Sequence, residues 1–544
     1  MKGFLKDLKN LVCDLKFILP LFAVTLLGYG YTLFHFSIGI DDLTRTRYVG
    51  GGENIAQGRF SGTLIDLLFG FTEYTPFWEE LVAMIFMFIA GIFAAFFLKR
   101  ATKNALYYGV YTFFACFFVT FPLINEIFLY AGAGLNIAIG YSLTFLSLII
   151  FERFFETKKY ILLLPCILIW IFNISLYESF ILVYSCAVCG IFFIKHMVAE
   201  GFLPCIDDTI KSDFKKRQTP KKIFTEIGWY VGILAVAIAL EFIISNAVMK
   251  LSCIVPSDNA TNAMTGLNVK NTLFILFTHL FCAAFKYFPI MVFLISAILG
   301  LVISIKYTIK CKHGFYILYF AGMIFSIVAF SFMRSGLTLY RNIQSMVIFC
   351  GIFLIIILHK ALSTKIKWKK ILSISVASLL IFCQTASLLK WFNIDYQRSE
   401  EEKAVMITVG DTLKKHYDID SKPVLFVGEY TLSDEMLNYI FIREGTPLFK
   451  VIHTIVHSVI QSDEIGNMHL PAGQQHGSVI SWGMFAFDEV NTELLRYFEY
   501  LGYNFIQGTH EQNEKAIEIA ETMTPEKSSF EILDTEDFVI VKFG

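Results

Sequence analysis

About eleven long apolar segments limit the folds open to this chain more than any other feature of its sequence. A bilayer core about 30 Å thick needs roughly twenty apolar residues per spanning helix. The chain is 56% hydrophobic and only 17% charged, whereas a soluble protein has about 25% charged residues. We therefore predict a polytopic α-helical membrane protein. The predicted spans are 17–38, 79–98, 105–123, 132–151, 160–175, 177–194, 227–248, 287–305, 314–332, 342–359 and 371–390.

The distribution of lysine and arginine predicts how these spans are oriented. The N-terminus and the loop at 195–222 are rich in basic residues, whereas the loops at 39–77, 249–286 and 333–341 carry few. Basic loops of membrane proteins stay in the cytoplasm. We therefore predict that the N-terminus is cytoplasmic, that the first span is an uncleaved signal anchor, and that the C-terminus is extracytoplasmic.

Three apolar segments have ambiguous lengths. Both flanks of 160–195 are basic, so we predict that this segment crosses the membrane twice, with an outer turn near 173–178. Residues 60–73 and 272–286 are apolar but short for a span. For these two we predict interfacial helices, the first of them lying along the outer surface.

The composition changes after residue 390, where charged residues become frequent. Helical and strand patterns alternate from there on, which indicates a small α/β domain. The predicted elements are a helix at 399–417, a strand at 422–428, helices at 491–503 and 510–523, and a strand pair within 530–543. We predict a transmembrane domain over 1–390, with a catalytic first outer loop at 39–78, and an extracytoplasmic α/β domain over 391–544.

A polar stretch directly after the first span carries residue types suited to chemistry on a phosphate-bearing substrate. Adjacent carboxylates are followed there by three arginines. A carboxylate can accept a proton, and a guanidinium binds phosphate oxygens in a planar, bidentate way. The arginines also keep a carboxylate ionised against the repulsion of its neighbour. We predict Asp41 and Asp42 as catalytic residues, with the choice of base open, and Arg45, Arg47 and Arg59 as substrate or phosphate ligands.

Further polar residues fall at the outer ends of the predicted spans. Because they all lie on one side of the membrane, they can converge on one site although they are far apart in sequence. Glu241 is an acid within a span, towards its outer end. The predicted substrate-binding residues outside the first loop are Glu126, Tyr177, Glu178, Arg334, Tyr340 and Arg341.

The sequence does not require a cofactor, and a divalent cation beside the two aspartates stays open. His453 and His457 have the spacing of metal ligands, but HTIVH lacks the glutamate of a zinc motif and a third ligand. Cys186 and Cys189 lie in an apolar segment, where we expect them to pack in the core. The net charge of -1, without a basic stripe, predicts no nucleic-acid partner.

The order of these features resembles a known family. A first span followed by I-D-D at 40–42, by arginines and by G-R-F at 58–60 is similar to the Gtr-type (type II) O-antigen glucosyltransferases of bacteria and bacteriophages, in the GT-C superfamily. The resemblance covers residues 38–60 and the hydropathy pattern over about 1–390. It implies a multi-pass enzyme of the bacterial inner membrane, with a polyprenyl-phosphate sugar donor. It also implies an acidic catalytic residue in the first outer loop and inverting transfer, here of a sugar such as glucose to a cell-surface glycan.

Two other functions remain open on the sequence. A flippase or transporter of lipid-linked saccharide needs polar or broken helices near the bilayer midplane, and charged residues are scarce there. A polymerase or ligase that uses the same lipid carrier is a closer alternative, because it needs the same phosphate and hydroxyl chemistry at the outer face.

Overall fold

The computed structural model describes the chain in segments that cover most of its length. Most of the described residues are helical, and three short strands lie near the C-terminus. The segments are residues 2–38, 52–71, 75–124, 128, 131–205, 208–217, 219–255, 288–333, 342–428, 430 and 492–544. The segment predicted as an interfacial helix at 272–286 lies outside them.

Each segment predicted to span a membrane contains a helix, because a long apolar run can satisfy its backbone hydrogen bonds internally only as a helix. The first half of the chain forms α1 (Lys2–Val12), α2 (Leu15–Tyr29), α3 (Gly52–Ala56), α4 (Phe60–Phe69), α5 (Pro76–Ala101), α6 (Tyr108–Val119), α7 (Ala131–Thr157), α8 (Leu163–Leu176), α9 (Phe180–Ala199), α10 (Asp208–Arg217) and α11 (Pro220–Leu251). The second half continues with α12 (Phe288–Cys311), α13 (Phe315–Met333), α14 (Met346–Leu362) and α15 (Lys367–His416).

These helices differ in whether they are long enough to cross a bilayer. Among the described residues, six are long and apolar enough: α5, α7, α9, α11, α12 and α15. A seventh span results if α1 and α2, which meet at a bend of 63°, are counted as one. Helices α6, α8, α13 and α14 are apolar but shorter. The membrane-protein class is therefore supported, and the number of eleven spans stays a prediction.

The segment at 160–195 forms two helices, as the prediction of a double crossing requires. Helix α8 ends at Leu176, and Tyr177 is extended with a φ of -164°. Helix α9 begins at Phe180. The break therefore lies beside the predicted outer turn.

Helix α4 lies where the sequence predicts an interfacial helix. Ile65 and Asp66 are buried on one face, whereas Leu64, Leu67 and Leu68 on the other are exposed by 52%, 67% and 76%. A helix that turns leucines away from the protein core is typical of a membrane surface. The observed face supports the interfacial placement.

One large core unites the helical bundle. Many of its side chains are aromatic, and some of their polar atoms are paired inside it. The Trp170 indole donates to Ser147 Oγ at 2.7 Å, and the Tyr29 hydroxyl donates to the Val119 carbonyl at 2.8 Å. Such pairing is what burial of tyrosine and tryptophan requires. Helices α11 and α15 lie at the margin, with most of their apolar surface exposed.

Ion pairs connect the helices at one end of the bundle. We call it the basic end because α5 ends there with Lys99 and Arg100. Arg100 contacts Asp7 of α1 at 3.2 Å. At the same end Lys195 Nζ lies 2.6 Å from Glu152 Oε1, and both side chains are less than 10% exposed. A buried charge is tolerated when it is paired in this way. The opposite end carries the start of α5, the α8–α9 break and the loop after α2.

Helix α15 continues well beyond the predicted end of the last span. Its 50 residues form one helix, about 75 Å long at 1.5 Å per residue. The amphipathic helix predicted at 399–417 is therefore the continuation of the span and not a separate element. Arg398 is buried in this extension, 2.5 Å from Asp395 and 3.6 Å from Glu402.

The C-terminal region forms a small α/β unit on the end of α15. Its elements are β1 (Val424–Val427), α16 (Thr492–Tyr500), α17 (His510–Ala520), β2 (Phe530–Asp534) and β3 (Val539–Phe543). The strand order is β1-β3-β2, with β1 parallel and β2 antiparallel to β3. Thr509 and Gln512 form a capping box at the start of α17. The predicted strands, strand pair and helices of this region are confirmed, whereas the domain boundary at residue 390 stays a prediction.

The core of the C-terminal unit includes part of α15 and reaches back to the first span. Met406 and Leu413 of α15 pack with Phe426 of β1 and Phe498 of α16, and Ile38 packs against the same cluster. The described segment after α2, which ends at Ile38, therefore lies beside the C-terminal unit. This contact places that unit at the end of the bundle opposite the basic end.

Candidate active site

The structure describes three of the predicted site residues, and it brings all three together. Arg59 precedes α4, and Tyr177 and Glu178 form the break between α8 and α9. The other predicted residues lie outside the described part of the chain. They are Asp41, Asp42, Arg45, Arg47, Glu126, Arg334, Tyr340 and Arg341.

Arg59 is held by both neighbours at once. Its Nη2 lies 3.4 Å from Glu178 Oε2, and its Cζ lies 4.9 Å from the centroid of the Tyr177 ring. The Arg59 side chain is 24% exposed and that of Glu178 is 42% exposed. An exposed ion pair of this kind is weak, so the guanidinium is oriented by the ring and remains accessible to another anion.

Tyr177 connects Arg59 to a third segment of the chain. Its hydroxyl donates to Asn342 Oδ1 at 3.1 Å, and Asn342 precedes α14. Segments after α2, between α8 and α9, and before α14 thus meet around one tyrosine ring. The sequence predicts convergence of these outer loops, and Asn342 is the contact that it does not predict.

Backbone contacts fix the position of Arg59. Gly58 has a φ of +79°, which favours glycine, and its carbonyl accepts a hydrogen bond from Ser245 Oγ of α11 at 2.8 Å. On the other side, the backbone N–H of Ser61 donates to Ser175 Oγ of α8 at 2.9 Å. Arg59 is therefore held between α8 and α11.

Glu241 adds a second carboxylate close to this cluster. It lies one turn before Ser245 on α11 and is near enough to Glu178 for their charges to interact. An ionisable side chain within an apolar helix is a recognised sign of a functional site. That signal is present in the sequence, which places Glu241 towards the outer end of a span but does not assign it to the site.

Two buried glutamates at the start of α5 were not predicted. Glu79 is fully buried and Glu80 is 5% exposed. Thr75 donates to Glu79 at 3.3 Å, and Thr32 donates to Glu80 at 2.8 Å. The T-P-F-W-E-E sequence at 75–80 resembles an ordinary helix start facing water, where acidic residues favour the helix dipole, so burial could not be read from it.

The described segment that follows α2 runs beside α15. The Tyr31 hydroxyl donates to Asn393 at 2.8 Å. The His35 ring stacks on Tyr31 at 3.9 Å and meets Tyr396 edge-on at 4.9 Å. These contacts guide the chain to the C-terminal unit three residues before Asp41.

Metal ligation finds no support in the described part of the chain, where no group of three or more histidine, cysteine, aspartate or glutamate side chains could hold an ion. The H-T-I-V-H motif at 453–457 and the two aspartates lie outside that part. Cys186 is buried and Cys189 is partly buried, as the packing interpretation predicts.

The chain was compared with protein families and with curated sequences. The sequence model of the family described as "Glucosyl transferase GtrII" matches residues 30–347, which is more than half of the 544 residues. The match includes Arg59, the α8–α9 break and Asn342, and it ends at the start of α14. The comparison with curated proteins finds no match. The resemblance noted in the sequence is confirmed, and this chain belongs to the GtrII glucosyl transferase family.

Proposed function

We propose that this glycosyltransferase takes glucose from a polyprenyl-phosphate donor at the outer face of a bacterial inner membrane and adds it to a hydroxyl of a cell-surface glycan. Family membership supports glucosyl transfer. The observation that carries the finer proposal is Arg59, which is oriented by Tyr177 and remains accessible at the end of the bundle opposite the basic loops.

Arg59 is suited to bind the phosphate of the donor. A guanidinium forms bidentate hydrogen bonds with phosphate oxygens. The carboxylate of Glu178 lies at 3.4 Å, which is a loose contact that a phosphate can displace. As the sugar leaves, negative charge grows on the phosphate, and a fixed cation there stabilises the transition state more than the ground state.

The proton of the acceptor needs a base, and we assign this role to Asp41 or Asp42. The acceptor hydroxyl oxygen attacks the anomeric carbon while the carboxylate takes its proton. The bond between that carbon and the phosphate oxygen breaks, and the lipid phosphate leaves with the electron pair. The net transfer is inverting. A divalent cation beside the second aspartate stays compatible with this chemistry.

The lipid chain of the donor needs apolar surface next to the phosphate site. Helix α4, which follows Arg59 directly, exposes Leu64, Leu67 and Leu68. Helix α11, which contacts the Arg59 segment through Ser245, exposes Phe242 by 68%. A polyprenyl chain lying in the bilayer reaches Arg59 along these two helices.

The proposed topology follows from the charge distribution. The N-terminus and the loops of the basic end lie in the cytoplasm. The transmembrane domain covers 1–390, and the α/β domain at 391–544 lies outside the membrane, where it presents the acceptor glycan. The contact of Ile38 with the core of the C-terminal unit supports this placement, since it joins the unit to the first outer loop.

The direct test uses purified protein in lipid nanodiscs with polyprenyl-phosphate glucose and a glycan acceptor. We expect release of polyprenyl phosphate together with one added glucose on the acceptor. A nucleotide-activated glucose serves as the alternative donor and should give no product. Arg153, which lies over the Phe4 ring at 5.2 Å at the basic end, provides a matched control: Arg153→Ala should retain transfer and Arg59→Ala should lose it. Direct use of the nucleotide sugar would contradict the proposed donor.

A further inference from the structure

The side-chain amide of Asn342 uses its oxygen in a hydrogen bond, whereas its nitrogen has no acceptor among the described residues. The residue is 2% exposed. Its Oδ1 accepts the hydrogen bond from the Tyr177 hydroxyl at 3.1 Å, which fixes the plane of the amide. Within the part of the chain that the structure describes, Nδ2 meets no hydrogen-bond acceptor although it is buried.

Arg59, which lies over the ring of Tyr177, likewise has one nitrogen with a partner and one without. Its Nη2 faces Glu178, but its Nε is buried and meets no acceptor among the described residues. The two unengaged donors thus border one side chain: Arg59 lies over the ring face of Tyr177 and Asn342 lies at its hydroxyl.

Buried donors are rarely left unengaged, because the loss of water is not compensated. Two such donors that border one tyrosine, one cationic and one neutral, call for an acceptor that carries negative charge. Glu178 contacts Arg59 through Nη2, and among the described residues neither Arg59 Nε nor Asn342 Nδ2 has an acceptor. A phosphate offers several charged oxygens and fits such a pair of donors.

We propose that Asn342 Nδ2 and Arg59 Nε bind oxygens of the donor phosphate together, with Tyr177 setting their separation. The inference rests on the proposed function and adds to it a phosphate ligand from the segment before α14. Tyr177 is a positioning residue in this arrangement, because it orients both donors without supplying charge.

The test measures binding of a short-chain polyprenyl phosphate to the purified protein, with the corresponding polyprenol as the neutral probe. Asn342→Ala removes the donor. Asn342→Asp keeps the acceptor for the Tyr177 hydroxyl but replaces the donor by a carboxylate. We expect affinity for the phosphate probe to fall by about tenfold in Asn342→Ala, and by more in Asn342→Asp. Affinity for the polyprenol should not change.

The relative affinities of the two variants for the phosphate probe show whether Asn342 binds the phosphate or only supports Tyr177. If Asn342 only supports Tyr177, Asn342→Asp should bind the phosphate probe better than Asn342→Ala does, and this order would overturn the inference. Asn393 accepts a hydrogen bond from Tyr31 in the same way, so Asn393→Asp is the matched control and should retain binding.

Two further measurements separate the role of Asn342 from misfolding and from a wrong donor class. If Asn342→Asp does not fold, Tyr177→Phe combined with Asn342→Ala replaces it. A contribution of Asn342 beyond its contact with Tyr177 then appears as a further loss of affinity in the double variant relative to Tyr177→Phe, and equal affinity would overturn the inference. Absence of phosphate-probe binding in the wild-type protein would instead contradict the proposed donor class.

Discussion

Arg59 contacts Glu178, which lies 119 residues further along the chain, at 3.4 Å. The contact joins the segment between α3 and α4 to the break between α8 and α9. It is long and part-exposed, so its contribution to stability is small. An arginine that is held in place by a weak ion pair can still bind a substrate anion.

Replacing Arg59 tests its role in phosphate binding. Arg59→Ala should raise the KM for the polyprenyl-phosphate donor and lower kcat, because the charge of the leaving phosphate loses its partner. Arg59→Lys should restore only part of the rate, since a point charge does not reproduce the bidentate fork. Transfer kinetics at equal protein level provide the measurement. Wild-type kinetics in Arg59→Ala would move the phosphate site to Arg45, Arg47 or the arginines near residue 340.

Replacing Asp41 and Asp42 one at a time tests the assignment of the base. An asparagine keeps size and most hydrogen bonding but cannot take the proton. Loss of a general base costs about a hundred- to ten-thousandfold in rate, so one variant should fall that far and the other less. Binding of polyprenyl phosphate should survive in both. Near-normal transfer in both variants would leave Glu178 and Glu241 as the carboxylates to examine next.

Replacing Thr32 tests how much its hydrogen bond with the buried Glu80 contributes to stability. Thr32→Val removes the hydrogen bond to Glu80 Oε2, and a hydrogen bond to a charged group contributes about 1.5–3 kcal/mol to stability. Thermal unfolding in detergent should show a lower Tm. Thr25 is also buried in α2 but donates to the Leu21 carbonyl of its own helix, so Thr25→Val should shift the Tm less. Equal shifts would show that Glu80 does not depend on Thr32.

The C-terminal unit should lose stability at high pH through one tyrosine. The hydrogen bond from the Tyr503 hydroxyl to Asp411 raises the pKa of Tyr503 to about 12, above its usual value near 10. A raised pKa means that folding favours the protonated hydroxyl. The stabilisation is therefore full below about pH 10 and is lost as the pH rises through 12. Absorbance titration of tyrosinate should show one group fewer ionising near pH 12 in Tyr503→Phe than in the wild-type protein; an unchanged titration would contradict the assignment.

Reporter fusions test the proposed topology. A reporter in the loop that contains α10 should be active in the cytoplasm, and one after α17 should be active outside it. The physical reason is the concentration of lysine and arginine on the α10 side. An intracellular C-terminus would separate the C-terminal unit from the outer face and would contradict the proposed acceptor site.

The sequence predicts the elements of this fold better than their lengths. Long apolar runs locate the bundle helices, and a short apolar run before a turn locates β1, because both signals are local. The continuity of α15 is missed, since a charged stretch after residue 398 looks like a new amphipathic helix. Whether an apolar helix of 12 residues crosses a bilayer depends on its neighbours, and no local pattern contains that information.

The sequence predicts on which side of the membrane the site residues lie, but it does not predict which of them touch. Placing Arg59, Tyr177 and Glu178 on one side of a membrane makes their meeting possible, and the structure supplies the distances. Asn342 and Glu80 could not be found in the same way. An asparagine beside an arginine-containing loop, or a glutamate at a helix start, has the same local sequence whether it is buried or solvated, so only packing distinguishes the two.

Because α15 is one unbroken helix, the number of residues in it sets the rotation of the C-terminal unit about the helix axis. Each residue of an α-helix turns the chain by about 100° and advances it by about 1.5 Å. One inserted residue between Trp391 and Met406 would therefore swing the C-terminal unit by more than a quarter turn and pull its core away from Ile38. The direction in which this unit faces is thus encoded by the number of residues in one helix.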